Sequence, residues 1–366
     1  MEPIQHLYVH VPFCAAKCHY CAFYSEAGQA GQMADYVTAA LNELRSFPGE
    51  LRPRTVFCGG GTPSLLPGTL WRRFLEGLQQ SVALGEVQEW TIECNPATVS
   101  SEKARLFREF GVNRISLGVQ ALDDGLLQTI GRVHSKQAAL ESYAKLRAAG
   151  FDNINLDLMF GLPGQTLAHW EQTLAAAIAL APEHISTYCL ILEEDTEFWS
   201  LFRQGLLKPN EDLEFAMYER AIEQLTAAGY AQYEVSNFAR PGRACRHNIA
   251  YWEVRDYLGL GPSACSTVGD RRWQNVPDIA RYLAALASGA PARVNEEQLS
   301  VATRAAERAA FGMRMTAGVP AEWVGDRWAG PIAELLSAEL VQWREGRLQP
   351  TRRGILFADQ IAAEFV

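Results

Sequence analysis

Three cysteines within eight residues, Cys14-x3-Cys18-x2-Cys21, are the part of this 366-residue sequence best suited to chemistry. Thiolates this close can wrap one metal centre from a single loop. They leave a tetrahedral zinc site one ligand short, so a structural zinc needs a distant fourth ligand. A [4Fe–4S] cluster held by three cysteines instead keeps one iron open to an exogenous ligand. Spacing alone admits both centres.

Two glycine-rich stretches are further candidates. Gly59-Gly60-Gly61-Thr62-Pro63 lacks the G-x-G-x-x-G spacing and the following helix start of a dinucleotide site. Such a run is commonly a turn, and it also lets backbone groups approach a small ligand closely. Gly161-Leu162-Pro163-Gly164-Gln165-Thr166 has no Lys-Ser/Thr pair, so a tight βα turn explains it better than a phosphate loop.

The elements that must position these residues alternate. Short β-rich runs fall at Leu7–Val11, Thr55–Cys58, Trp90–Cys94, Arg114–Val119, Ile154–Met159 and Ile185–Leu190. Between them, 32–46, 68–81, 100–110, 136–149 and 165–180 carry helical periodicity. The near-continuous apolar strands suit a parallel sheet covered on both faces. Six β-then-α units with right-handed crossovers curl into a full or partial barrel, an α/β fold. The cysteine loop, the glycine run, Asn95-Pro96, Gln120 and Gly161–Gly164 all follow strand C-termini, the rim where parallel barrels bind ligands.

The pattern changes near Pro241-Gly242-Arg243, which predicts domains at 1–240 and 241–366. The second is expected to be mainly helical, ending in a hairpin around Glu345-Gly346 and a last helix, as in a winged helix. Lys+Arg number 33 against 42 Asp+Glu, a net charge of −9. The basic footprint of a nucleic-acid binder is missing, so no nucleic-acid partner is expected. At 48% hydrophobic residues the chain is globular rather than disordered. Eight cysteines are too few for a disulfide scaffold. Neither a secretory signal nor an apolar run of membrane-spanning length is visible, and a reducing cytoplasm is the expected location.

Tyr8-Val9-His10-Val11-Pro12-Phe13-Cys14-x3-Cys18-x-Tyr20-Cys21 resembles the cluster loop of radical S-adenosylmethionine (SAM) proteins. More narrowly, it resembles the branch holding oxygen-independent coproporphyrinogen III dehydrogenase and the HemW heme chaperones. The resemblance implies a partial (β/α)6 radical-SAM barrel and a [4Fe–4S] cluster on Cys14, Cys18 and Cys21. It also implies SAM on the open iron, an electron donor, and reductive cleavage of SAM to methionine and a 5′-deoxyadenosyl radical. Gly60, Gly61, Thr62, Glu93, Gln120, Arg132 and Asp157 match family SAM-binding positions, and Tyr8 and Tyr20 match family contacts. Their chemistry suits the ligand, because carboxylates accept from hydroxyl or amino groups and an arginine forks onto a carboxylate.

Two features separate an enzyme from a carrier within the branch. The dehydrogenase carries another cysteine two residues past the third cluster cysteine, where this chain has Phe23. It also has a longer extension than the 13 residues that precede Cys14 here. His247-Asn248-Ile249-Ala250-Tyr251-Trp252 matches the His-Asn-x-x-Tyr-Trp motif of the chaperones. A neutral imidazole is a good axial ligand for heme iron, and adjacent aromatics can cover a porphyrin. The same residues equally make a hydrogen-bonded core, and Cys245 is a competing ligand. The resemblance thus implies a heme chaperone that passes heme to acceptor proteins, among them membrane respiratory hemoproteins. The alternative is a radical SAM coproporphyrinogen III dehydrogenase.

Overall fold

In the computed structural model, which describes residues 3–366, six parallel strands form the centre of one large sheet. They are β1 (Ile4–Val11), β2 (Leu51–Gly60), β3 (Glu89–Cys94), β4 (Arg114–Gln120), β5 (Ile154–Phe160) and β6 (His184–Cys189). Three short strands follow in the chain: β7 (Ala231–Gln232), β8 (Asn237–Ala239) and β9 (Leu258–Leu260). The sheet order is β9-β1-β2-β3-β4-β5-β6-β8-β7. β9 joins β1 in parallel, Leu7 opposite Leu258 and Val9 opposite Leu260, while β8 and β7 extend the far edge antiparallel.

Helices cross over between the strands: α1 (Ala30–Ser46), α2 (Gly68–Ser81), α3 (Ser101–Glu109), α4 (Asp124–Thr129), α5 (Lys136–Ala148) and α6 (Leu167–Ala179). Their starts follow from local chemistry. The side chains of Ser100, Asp123, Ser135 and Thr166 accept from backbone N–H groups in the first turns of α3, α4, α5 and α6. Four of the six expected strands and all five expected helices agree within about two residues, while β1 begins three residues and β2 four residues earlier than their apolar runs.

The two strand faces differ more than the apolar runs suggest. Leu7, Val9, Val56, Cys58, Ile92, Ile115, Leu117, Ile154, Leu156 and Ile185 are buried in the core with Tyr36, Leu41, Trp71 and Trp170 of the helices. The alternate residues point the other way and are largely polar: His10, Thr55, Thr91, Arg114, Ser116, Asn155 and His184 are all buried. A period of two sorts them cleanly, so the interior of the barrel is a hydrogen-bonded polar network and not a second apolar layer.

The expected division after residue 240 falls inside a continuous core. Leu258, Trp273, Ile279 and Tyr282 pack in the same cluster as β1. Glu43 on α1 reinforces this, accepting from Gly261 N, Asn275 Nδ2 and Tyr282 Oη. A separate core begins with Ala306 and ends with Phe365. There, a three-stranded sheet includes the expected hairpin, Val341–Arg344 with Arg347–Pro350, set among helices in the winged-helix order. No helix among the described residues is long and apolar enough to cross a membrane.

Candidate functional site

The cysteine loop leaves β1 at the C-terminal rim and meets Thr62 after β2, Ile130 and Arg132 beyond β4, and Phe198 beyond β6. Cys14, Cys18 and Cys21 are free, partly exposed thiols. Cys21 N–H donates to Cys18 O at 3.2 Å, which tightens the loop into a turn. Cys14 Sγ lies 3.4 Å from Thr62 Oγ1, and Arg132 Nη1 donates toward Cys18 Sγ at 3.6 Å. Burial and the neighbouring Cys18 and Cys14 push the Cys21 thiol up.

Among the described residues, no three His, Cys, Asp or Glu side chains converge as the ligands of one ion would. A tetrahedral zinc with bonds of about 2.3 Å holds its thiolates about 4 Å apart. A cluster seats each thiolate on its own iron and accepts a wider spread. The donor set, three thiols on one loop with a cation beside one of them, suits the second arrangement.

Opposite the loop, the glycine run turns sharply. Gly60 has φ +104°, and a Cβ there would lie 2.6 Å from the His10 ring. At Gly61 a Cβ would lie 2.8 Å from the Phe13 carbonyl oxygen. Both positions therefore exclude side chains, and the strand end stays low beside the loop. Gly61 N and Thr62 N donate to Val11 O and Phe13 O, binding this turn to the start of the cysteine loop.

Two carboxyls and a guanidinium face this turn. Glu93 accepts from Gly60 N at 3.2 Å, and burial together with the charge of Asp157 pushes its carboxyl up to about 8. Asp157 accepts from Ser116 Oγ and Asn155 Nδ2, both at 2.8 Å, and burial raises it too. Arg132 donates to Gly118 O at 2.8 Å while its buried Nε has no partner. Gln120 ends β4 at φ +63°, just past a break in register, a conformation that a non-glycine residue rarely adopts. Tyr8 Oη donates to His10 Nδ1, because His10 Nε2 must give its proton to the Tyr24 carbonyl. Tyr20 packs on a rim cluster with Leu126, Ile130, Met159 and Phe198, close to Cys18, Cys21 and Asp157.

Apart from Tyr8, which sits mid-strand in β1 and stacks on Phe57, the residues expected around SAM thus gather at one end of the barrel. His247 does not join them. It sits on α7 (Arg246–Trp252) inside the barrel, near the N-terminal ends of the strands, and is 1% exposed. Thr55 Oγ1 is 2.7 Å from its Nδ1, Phe57 stacks on its ring at 5.2 Å, and Tyr251 meets it edge-on at 4.7 Å. Burial lowers its pKa to about 3, so the imidazole is neutral, and Nε2 has no partner. An open axial face for a porphyrin is therefore absent at His247. The ring packs as core, and a macrocycle could reach it only if α7 left the barrel.

Several working residues were not singled out from sequence. Glu89 seats α7 by accepting from Arg246 N, His247 N and Cys245 Sγ. From Cys245 N a chain runs through Tyr233 Oη, His184 and Asn155 to Asp157 at the rim. A polar residue at alternate positions of otherwise apolar strands, Glu89, Arg114 and His184, was the available signal.

Comparison with known proteins agrees with this geometry. The Radical SAM superfamily model matches residues 8–177. The protein named heme chaperone HemW of Bacillus subtilis (strain 168) is 34% identical over 98% of both chains. HemW of Escherichia coli (strain K12) is 41% identical over 70% of this chain and 68% of its own. Among solved structures, Escherichia coli coproporphyrinogen III oxidase (HemN), described as a radical SAM enzyme, matches with a TM-score of 0.86. It covers 99% of this chain and 90% of its own at 24% identity, a likeness of fold. Cysteine loop, polar barrel and near full-length identity converge, and the chain belongs to the HemW family of radical SAM proteins.

Proposed function

We propose that this protein is a cytoplasmic heme chaperone that binds heme, carries a SAM-ligated [4Fe–4S] cluster, and hands heme to acceptor proteins such as respiratory hemoproteins. The observation that carries the cofactor part is the facing of three free thiols by two carboxyls of raised pKa and one arginine. Cys14, Cys18 and Cys21 would hold the cluster. When bound, the SAM-ligated cluster supplies one-electron reductive chemistry, fed by a separate electron donor.

The residues of the rim fit that ligand by charge. Glu93 and Asp157 repel each other in a buried site, and a cationic ligand between them relieves that repulsion. Arg132, with one arm on Gly118 O and an unpartnered Nε, is placed to fork onto a carboxylate. Gly60 and Gly61 leave room for backbone contact, and Gln120 and Thr62 offer polar ends beside it. Support for the heme part comes from the names of the relatives and from Phe23, 70% exposed, where the dehydrogenase pattern has a cysteine.

Anaerobic heme titration of the cluster-reconstituted protein tests the reading. Stoichiometric uptake with a Soret band, and no protoporphyrinogen formed from coproporphyrinogen, SAM and reductant, is the expected result. Catalytic appearance of protoporphyrinogen would replace the carrier with the dehydrogenase.

A further inference from the structure

A pocket of about 690 Å³ opens beside the cysteine loop, and none of the residues assigned above to cluster or SAM lines it. Its wall is rich in leucine, including Leu162, Leu190, Leu192 and Leu201, with Lys208 at one side and His19 at another. The volume lies within the range of clefts that enclose a cofactor-sized ligand, about 300–1,000 Å³. Apolar side chains continue outward from it: Ile191 is 66% exposed and Leu206 72%. Unpaid apolar exposure of this size at a concave site marks a surface that expects an apolar occupant.

His19 gives the pocket a ligand. Its Nδ1 lies 3.1 Å from the Thr129 carbonyl oxygen, which can only accept, so Nδ1 is the donor there and Nε2 is the ring nitrogen left for another partner. This is the arrangement that fixes the tautomer and orientation of metal-binding histidines. Among the described residues, the ion-pair partner of Nε2 is Glu197 at 3.6 Å, too far for a hydrogen bond, and the Glu197 side chain is 58% exposed. The backbone joins the segment after β6 here, Phe198 N donating to His19 O, and the two rings meet edge-on at 5.9 Å.

We propose that this leucine-lined pocket, and not the buried His247, binds the heme, with His19 Nε2 as an axial ligand to its iron and Lys208 pairing with a propionate. The proposal rests on the heme-carrier reading above. It explains how a family member whose His-Asn-x-x-Tyr-Trp histidine is packed as core can still present an imidazole to a porphyrin. It also places the bound macrocycle against the segment between Cys18 and Tyr20.

The test is ferric heme titration of the anaerobic, cluster-reconstituted protein, read by stoichiometry and by the Soret and visible bands. Wild type takes up one equivalent. His19→Ala weakens binding at least tenfold, and His19→Met keeps the stoichiometry but changes the ligand-dependent bands. Leu192→Trp, which fills the pocket away from the loop, weakens binding at least tenfold with unchanged cluster absorbance. That variant decides the matter if His19→Ala disturbs the cluster. Full uptake by both His19→Ala and Leu192→Trp overturns the proposal, as does loss confined to His247→Ala, and both outcomes leave the heme-carrier reading standing. Failure of the wild type to bind heme removes that reading itself.

Discussion

Arg132 reaches across the rim to Cys18, Nη1 to Sγ at 3.6 Å, while its other arm holds the Gly118 carbonyl. One side chain thus ties the cysteine loop to β4. Neutralising it with Arg132→Gln removes a charge-assisted contact worth about 1.5–3 kcal/mol. SAM affinity, measured by equilibrium dialysis on reconstituted protein, should fall at least tenfold. Unchanged affinity would remove Arg132 from the ligand site.

The raised carboxyl of Glu93 gives a pH dependence of known sign. In the unfolded chain Glu93 loses its proton near pH 4.3, but in the folded chain it keeps it to about 8. Between those values the folded state holds the extra proton, so this group's contribution to stability declines as pH rises and levels off above 8. Glu93→Gln should match wild type near pH 5 and exceed it by a few kcal/mol at pH 9 in urea unfolding of the cluster-free protein. Parallel pH profiles for the two proteins would contradict this.

Glycine at 61 is required by backbone and not by entropy. Gly61→Ala places a methyl against the Phe13 and Val11 carbonyl oxygens, both closer than 3.0 Å. The turn must move, and with it the start of the cysteine loop. We expect about 1–3 kcal/mol of destabilisation and a lower iron content after reconstitution, measured by chemical denaturation and iron assay.

Glu89 is the anchor of α7. With Glu89→Ala the N–H groups of Arg246 and His247 lose their acceptor, and the buried Arg114 loses a nearby negative charge. Hydrogen exchange across 245–252 should accelerate, and stability should fall by at least about 2 kcal/mol. Protection equal to wild type would show that packing alone holds the helix.

Much of the rim was legible in the sequence because its chemistry is local. Cys14, Cys18 and Cys21 share one loop, and Gly60, Gly61, Thr62, Glu93 and Gln120 stand at or beside the ends of strands whose apolar runs announce them. The setting of α7 was not legible, since His247, Tyr251 and Trp252 read alike on a surface and inside a barrel. What decides between them is Glu89, 158 residues away in sequence from His247. β9 escaped for a similar reason. It is three residues long, and its apolar character makes sense only beside β1. The domain division near 240 misread a change of composition as a change of core, because Glu43 and its partners at 261–282 are joined only in space.

The pairing of β9 with β1 also orders the making of the protein. The strand that delivers the cysteine loop emerges first, yet one of its two edges has no partner until Leu260 has been synthesised. During most of translation the nascent chain therefore carries three reactive thiols on an unfinished sheet edge, open to oxidation and to mispairing with other strands. Iron and sulfide delivered before that point would meet a loop without its final shape.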